Sequence, residues 1–145
     1  MRTVIQRVKH ASVTVDGKLI SSIGQGLLVL LGIGPEDTED TARKFAKKIS
    51  AMRIFEDEQG KMNLSVRDIH GEMIVVSQFT LYADCSRGNR PSFVNAAPPA
   101  IASPLVDRFI EIMNTEFEIP TQSGIFGADM KVELLNDGPG TIVLE

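Results

Sequence analysis

The last ten residues of the chain, Asn-Asp-Gly-Pro-Gly-Thr-Ile-Val-Leu-Glu at positions 136–145, carry the pattern around which the fold is organised. Two apolar strand candidates, 130–135 and 141–144, flank a cluster of turn-forming residues and tie it into a sheet. Gly138 can adopt backbone angles closed to other residues, and Pro139 fixes its own φ and makes the preceding peptide the place where a cis bond costs little. One interpretation is an ordinary β-hairpin turn. The other is a Gly-Pro pair that presents two carbonyl groups to a ligand.

Alternation of apolar and polar residues predicts strands along much of the chain. Residues 2–15 and 18–23 flank Asp16-Gly17, a strong hairpin signal, and are predicted to pair. The continuous apolar run 26–33 has the length of a strand buried on both faces. Further extended segments are predicted at 53–55, 62–66, 72–81, 121–124, 130–135 and 141–144.

Helical spacing of apolar residues appears in two segments. Residues 38–50 place Ala42, Ala46 and Ile49 on one face, and either Asp37 or Thr38 can cap the start. A second helix is predicted from 101 or 103 to 117. The fold class is therefore predicted as α+β: a mostly antiparallel sheet or partial barrel with two packed helices, in a single domain spanning residues 1–145.

Composition limits the classes of function and the compartment. The formal net charge of −4 argues against a protein that coats nucleic acid by bulk electrostatics. A single cysteine, Cys85, cannot form an internal disulfide, which favours a reducing compartment. The N-terminus shows no apolar signal core, and no apolar run approaches the length of a membrane span. We therefore expect a cytoplasmic protein with no membrane partner.

Several kinds of catalytic site have no matching pattern in the sequence. The two histidines, His10 and His70, form no metal-binding pair, and one cysteine cannot build a thiolate zinc site. No Gly-x-Ser-x-Gly elbow and no glycine-rich phosphate-binding fingerprint is present. His10 is a possible general base without an obvious nucleophile near it in sequence. An enzyme built on this chain is predicted to use no metal and no cofactor.

The tetrapeptide Ser77-Gln78-Phe79-Thr80 lies at the end of a predicted apolar strand, where polar side chains are less expected. Main-chain amides at a strand end can converge on a developing oxyanion, and one such donor lowers a barrier by roughly 3 kcal/mol. An edge strand with its polar face outward is the alternative interpretation.

Two motifs give the chain a resemblance to the D-aminoacyl-tRNA deacylase family. Residues 77–81 match the family's Ser-Gln-Phe-Thr-Leu motif, and residues 136–141 match its Asn-x-Gly-Pro-x-Thr motif. The chain has Gly140 where the family usually has a β-branched or larger apolar residue. Glycine makes the backbone less stiff at this point, so the Gly-Pro carbonyls are expected to be held less rigidly. Supporting matches, in family order, are at 5–8, 26–32, 53–55, 60–64, 90–93 and 126–130.

The resemblance implies hydrolysis of the ester between a D-amino acid and the 3′-terminal adenosine of tRNA. It implies a homodimer in which a cis Gly138-Pro139 peptide enters the partner's pocket. The two carbonyl oxygens would grip the α-amino group, so that an L side chain collides with main chain. Glycyl-tRNA should also be cleaved, because glycine has no side chain to exclude.

The same resemblance assigns roles to residues. Arg7 would fix the Gly-Pro segment, Phe126 and Met130 would form the pocket wall, and Ser77, Gln78 and Phe79 would line the carbonyl end. Thr80 is either the nucleophile or a positioning residue. Because a threonine hydroxyl needs an activating base, a route assisted by the terminal 2′-hydroxyl of the substrate is preferred.

Two other functions remain open. They are a non-catalytic nucleic-acid-binding protein and an oligomer that binds a small molecule at its interface. The sequence does not identify the contacts to the acceptor stem. Arg87 and Arg90 could supply them, or the Lys44, Lys47 and Lys48 face of the first helix, which is otherwise a solvated surface.

Overall fold

A computed structural model describes all 145 residues of the chain. The strands are β1 Arg2–Val15, β2 Lys18–Ile23, β3 Gly26–Gly32, β4 Phe55–Glu56, β5 Met62–Leu64, β6 Glu72–Ser77, β7 Thr121–Ser123 and β8 Lys131–Leu144. The helices are α1 Glu39–Ala51, α2 Pro99–Thr115 and a 3₁₀ helix, Phe79–Tyr82. This α+β architecture with two packed helices confirms the predicted class.

The long strand β1 is the axis of the six-stranded sheet. Its first half pairs with β3 and its second half with β2, while β8 pairs along most of its length. The β1–β2 hairpin turns at Asp16 and Gly17, both with positive φ, as the Asp-Gly signal predicts. All three partners of β1 are antiparallel, whereas β3–β6 and β6–β7 are parallel.

Strands β3 and β6 form the buried centre of the sheet, and hydrophobic clusters cover both of their faces. Leu27, Val29 and Met73 point to the larger cluster, beneath α1 and α2. Leu28 and Ile74 point to the smaller one, which β8 covers with Val132 and Leu134. The sheet therefore curls into a partial barrel, and residues 26–33 are buried on both sides as predicted.

Each helix begins at a residue that solves the hydrogen bonding of its first-turn main-chain amides. Thr38 caps α1, its hydroxyl accepting a hydrogen bond from the Thr41 amide. The second helix starts at Pro99, earlier than the predicted 101 or 103, because proline needs no hydrogen-bond acceptor at the first helical position. Two ion pairs connect the helices. Arg43 of α1 pairs with Glu116 directly after α2, and Arg108 of α2 pairs with Glu39 of α1.

The predicted strand over 72–81 is too long. β6 ends at Ser77, one residue before the Gln78 amide donates to the Leu31 carbonyl at 2.8 Å, and the chain then turns into the 3₁₀ helix. Its partner β3 ends at Gly32, so no ladder is left to extend. The edge-strand interpretation of residues 77–80 is also wrong, because only Ser77 belongs to a strand and the 3₁₀ helix begins at Phe79.

The predicted hairpin between 130–135 and 141–144 is wrong as well. Both segments belong to the single strand β8 and pair with the same strand, β1. Thr141 pairs with Gln6 and Asn136 pairs with Val8, so residues 137–140 bulge out opposite the single residue Arg7. We call residues 137–140 the Gly-Pro bulge. A turn-rich sequence thus interrupts one strand instead of joining two.

Candidate active site

A cavity of about 620 Å³ opens where β3 and β6 end. The start of α2 forms one wall, and the segment that leads into β8 forms the other. Five predicted site residues line it together: Ser77, Gln78, Phe79, Phe126 and Met130. Its volume lies in the range of small-molecule sites, and its lining is mostly apolar with a few polar groups at the strand end.

The turn after β6 leaves main-chain donors beside this cavity. Within the 3₁₀ helix, the Leu81 amide bonds the Gln78 carbonyl at 3.2 Å, and the Ala83 amide bonds the Thr80 carbonyl at 3.0 Å. The amides of Phe79 and Thr80 lie in the first turn of this helix, and neither donates a main-chain hydrogen bond to the strands or turns around it. Two N–H groups are therefore free to bind a ligand oxygen.

Thr80 does not line the cavity with the other predicted residues. Its side chain is exposed, and its hydroxyl accepts a hydrogen bond from the side-chain Nε2 of Gln78 at 2.5 Å. His70 precedes β6 at the far end of that strand, which alone is about 17 Å long at the usual rise per residue. His10 is exposed on β1 opposite Leu135. Neither histidine is placed to activate the Thr80 hydroxyl.

The Gly-Pro bulge is held by Arg7. The Arg7 Nε donates to the Asp137 carbonyl at 2.8 Å, and its Nη1 donates to the Ile54 carbonyl at 2.6 Å. Gly138 has φ +134°, and a Cβ added there would lie 2.5 Å from the Arg7 Nη2. The Gly138–Pro139 peptide is cis. The backbone angle favours glycine at this position, and any larger residue would also have to displace the end of the Arg7 side chain.

Asn136 closes the same bulge and was missed by the sequence reasoning. Its Oδ1 accepts from the Gly140 amide at 2.6 Å, and its Nδ2 donates to the Gly140 carbonyl and the Thr141 hydroxyl. An Asn that opens a Gly-Pro cluster was the available signal, since its side chain readily bonds nearby backbone. Gly140 also lets Arg7 pack closely, because a Cβ there would lie 3.2 Å from the Arg7 Cβ.

The structure thus divides the predicted site residues between two places. Gly138, Pro139 and Arg7 lie on the β1–β8 ribbon and do not line the cavity of their own chain. No group of three or more His, Cys, Asp or Glu side chains is arranged to hold a metal ion. No helix combines the length and apolar character that crossing a bilayer requires.

Electrostatics near the cavity are set by buried and hydrogen-bonded groups. Burial raises the pKa of the Tyr82 hydroxyl, with a further contribution from the Asp37 carboxylate. The Arg2 guanidinium, 4.7 Å from the Tyr82 ring centre, opposes this shift. Hydrogen bonds from the Ser86 side chain and amide lower the pKa of Asp84. Asp84 therefore stays charged at neutral pH.

Comparison with known proteins extends over the whole chain. A family model described as D-Tyr-tRNA(Tyr) deacylase matches residues 4–145. The chain belongs to the D-aminoacyl-tRNA deacylase family. It is 58% identical over 145 residues to a D-aminoacyl-tRNA deacylase of Chlorobaculum parvum and 59% identical to that of Chlorobaculum tepidum, covering 100% of this chain and 97% of each relative. Family membership makes it a hydrolase.

Two solved structures share this fold. A c-Myc DNA unwinding element binding protein superposes with a TM-score of 0.93 at 45% identity, covering 100% of this chain and 98% of that one. A protein described as a probable eukaryotic D-amino acid tRNA deacylase superposes with a TM-score of 0.83, covering 99% and 97%. At 17% identity, the second likeness supports the fold alone.

Proposed function

We propose that the chain hydrolyses the ester between a D-amino acid and the 3′-terminal adenosine of tRNA, releasing both. The observation that carries the proposal is one cavity that brings the Ser77–Phe79 strand end together with Phe126 and Met130 in a full-length member of a deacylase family. The same proposal treats residues 1–145 as one catalytic domain acting in the cytoplasm, where its single cysteine stays free.

The cavity offers electrostatic stabilisation for ester hydrolysis. Attack of water on the ester carbon puts negative charge on the carbonyl oxygen. The free amides of Phe79 and Thr80 are the donors for that oxygen, and each donor lowers the barrier by roughly 3 kcal/mol. Ser77 and Gln78 precede these amides in the cavity lining, and the hydrogen bond from the Gln78 main-chain amide to the Leu31 carbonyl fixes the strand end.

We assign selection of the D enantiomer to Gly138 and Pro139 of a partner subunit in a homodimer. Within one chain the Gly-Pro bulge lies away from the cavity, yet Arg7 and Asn136 hold it firmly, as a group presented to another molecule requires. Its carbonyl oxygens would accept hydrogen bonds from the substrate's α-ammonium group. An L side chain would then meet main chain, whereas a D side chain would point to solvent and glycine would be accepted.

The proton transfer is assigned to the substrate. The terminal 2′-hydroxyl accepts a proton from the attacking water as the new C–O bond forms. At the same time the 2′-hydroxyl passes its own proton to the 3′-oxygen of the ribose, and the bond between that oxygen and the carbonyl carbon breaks. The 3′-oxygen leaves as the free hydroxyl, and the 2′-hydroxyl is restored. This route needs no side-chain base, in keeping with the absence of a histidine beside Thr80.

Replacing Thr80 by alanine separates this route from covalent catalysis. With a positioning role, Thr80→Ala is expected to keep kcat within about fivefold of the wild type, because it removes one hydrogen bond worth about 1 kcal/mol. Single-turnover kinetics with D-tyrosyl-tRNA measure the rate. Complete loss of turnover in a folded variant would instead identify the Thr80 hydroxyl as the nucleophile.

The function itself is tested with mirror-image substrates. The purified chain is expected to cleave D-tyrosyl-tRNA at least about 100-fold faster than L-tyrosyl-tRNA, as expected where one enantiomer meets fixed atoms. Glycyl-tRNA is the matched third substrate and should be cleaved. Equal rates for the two enantiomers would contradict the proposal, and sedimentation of the same sample tests the dimer.

DNA binding is the second candidate, favoured by the 45% identical c-Myc DNA unwinding element binding protein. The net charge of −4 opposes it, because sequence-independent DNA binding depends on phosphate neutralisation. Titration of labelled single- and double-stranded DNA at physiological salt distinguishes the two functions. Binding tighter than micromolar without ester cleavage would favour this candidate.

A further inference from the structure

We propose that residues 85–91, here called the basic loop, bind the phosphate backbone of the single-stranded 3′ end of tRNA through Arg87 and Arg90. This inference rests on the proposed function and adds the part of the substrate that lies outside the cavity. It is carried by the position of the loop, by the free charges of its two arginines and by the exposed aromatic pair beside it.

The basic loop projects from the rim of the cavity. Asp84 and Ser92 close its base with two main-chain hydrogen bonds, of 2.8 and 2.9 Å. The next residue, Phe93, lines the cavity. Arg90 is three residues from Phe93, at most about 10 Å along an extended chain. Arg90 therefore lies within reach of the nucleotides that enter with the aminoacyl end.

The arginines of the basic loop carry charge that no carboxylate of the chain neutralises. Arg43 and Arg108 form ion pairs with glutamates, whereas neither Arg87 nor Arg90 has a carboxylate within 4.0 Å. The nearest acidic residue in sequence, Asp84, accepts a hydrogen bond from the Ser86 amide at 3.0 Å. The loop itself contains two arginines and no acidic residue in a chain of net charge −4. Such a local excess of guanidinium groups suits phosphate oxygens.

Aromatic rings next to the basic loop supply the second half of a nucleic-acid surface. The rings of Phe79 and Phe93 meet edge to face, with centroids 5.0 Å apart. They remain 56% and 38% exposed, which is unusual for a packed aromatic pair. Single-stranded RNA is bound where stacking surfaces for bases alternate with cations for phosphates. The occupant that fits both features is the unpaired 3′ end of the tRNA.

The competing lysine face is too far away to contact these nucleotides. Val106 is the last residue of α2 that lines the cavity, and Glu116, directly after α2, pairs with Arg43. The ten residues from Val106 to Glu116 span about 15 Å at 1.5 Å per residue. Lys47 and Lys48 lie a further turn along α1, so this face cannot reach the last nucleotides of a 3′ end held in the cavity.

The experiment compares two substrates of the same enzyme. D-tyrosyl-tRNA carries phosphates, whereas the D-tyrosyl ester of adenosine carries none. For the double variant Arg87→Gln, Arg90→Gln, we measure kcat/KM on both substrates between 0.05 and 0.5 M salt. Each lost single-strand phosphate contact lowers the salt slope by about 0.7, so the slope for the tRNA ester should fall by about 1.4. The ratio compared is kcat/KM for the tRNA ester divided by kcat/KM for the adenosine ester. If variant and wild type have equal ratios at 1 M salt, a slope difference of about 1.4 lowers the ratio of the variant about 25-fold at 0.1 M salt.

The matched control removes two charges elsewhere. Lys47→Gln, Lys48→Gln should leave both the ratio and the salt slope as in the wild type. An unchanged ratio in the arginine variant overturns the inference, and a loss confined to the lysine variant moves the contact to α1. Each single arginine variant should lower the slope by about 0.7, and circular dichroism checks folding. If the wild type cleaves neither ester, the proposed function fails first and the inference fails with it.

Discussion

Gly138→Ala is expected to lower kcat/KM for D-tyrosyl-tRNA on the order of 100-fold, because fixed catalytic or binding atoms that move by about 1 Å lose activity on that scale. The backbone angle φ of +134° is strained for alanine, at a cost of about 1 to 3 kcal/mol. The new methyl group would also lie 2.5 Å from the Arg7 Nη2. Steady-state kinetics on the purified protein measure the loss.

Gly60→Ala is the matched control for this substitution. Gly60 also has a positive φ, of +76°, but nothing lies within 4 Å of an added Cβ. The control therefore carries backbone strain without a clash, in the turn between β4 and β5 and outside the Gly-Pro bulge. It should lose about 1 kcal/mol of stability and none of the activity. Full activity in Gly138→Ala would show that the bulge takes no part in catalysis.

Local chemistry made much of the fold predictable from sequence. Asp16-Gly17 fixes a hairpin turn through its own backbone preferences, and Thr38 caps a helix three residues from its hydrogen-bond partner. The apolar run 26–33 has no polar residue on either face, so it predicts a strand buried on both faces without reference to other parts of the chain. Each of these predictions needed only neighbouring residues, and each is confirmed.

Long-range register was not predictable in the same way. Whether 136–140 joins two strands or interrupts one depends on β1, which is more than 120 residues away in sequence. The Arg7 side chain decides the outcome by filling the space beneath the bulge, and its second partner is the Ile54 carbonyl. Likewise β6 stops at Ser77 because β3 ends there, a fact that residues 72–81 do not contain.

The candidate site shows the same division. Motif matching supplied Ser77, Gln78, Phe79, Phe126 and Met130, and the structure places all five on one cavity. Their catalytic roles remain predictions. Asn136 escaped notice because its three hydrogen bonds are visible only once the bulge is folded. The separation of the Gly-Pro bulge from the cavity is a property of one chain, and the proposed second subunit joins them.

Arg7→Met is expected to lower kcat/KM on the order of 100-fold and to destabilise the fold by about 3 kcal/mol. Methionine keeps much of the length and apolar stem but donates no hydrogen bond. The carbonyls of Asp137 and Ile54 would lose a charged donor, and hydrogen bonds of this type are each worth about 1.5 to 3 kcal/mol. Denaturant unfolding and steady-state kinetics measure the two effects separately.

Two further variants decide how Arg7 acts. Arg7→Lys keeps the charge but has no planar fork to reach both carbonyls, so its loss should be intermediate. Arg43→Met removes a surface arginine paired with Glu116 and should leave kcat/KM unchanged. Activity in Arg7→Met equal to that in Arg43→Met would rule out any role of Arg7 in holding the bulge.

The combination of Gly138→Ala with Arg7→Met tests whether the two residues serve one purpose. Both substitutions are expected to act by displacing the same pair of carbonyl oxygens, and residues in contact couple energetically. The double variant should therefore lose little more activity than the worse single variant. Fully additive losses, near 10⁴-fold, would mean that Arg7 and Gly138 act independently. Because methionine removes the Nη2 that the alanine methyl would strike, the stability losses should also be less than additive.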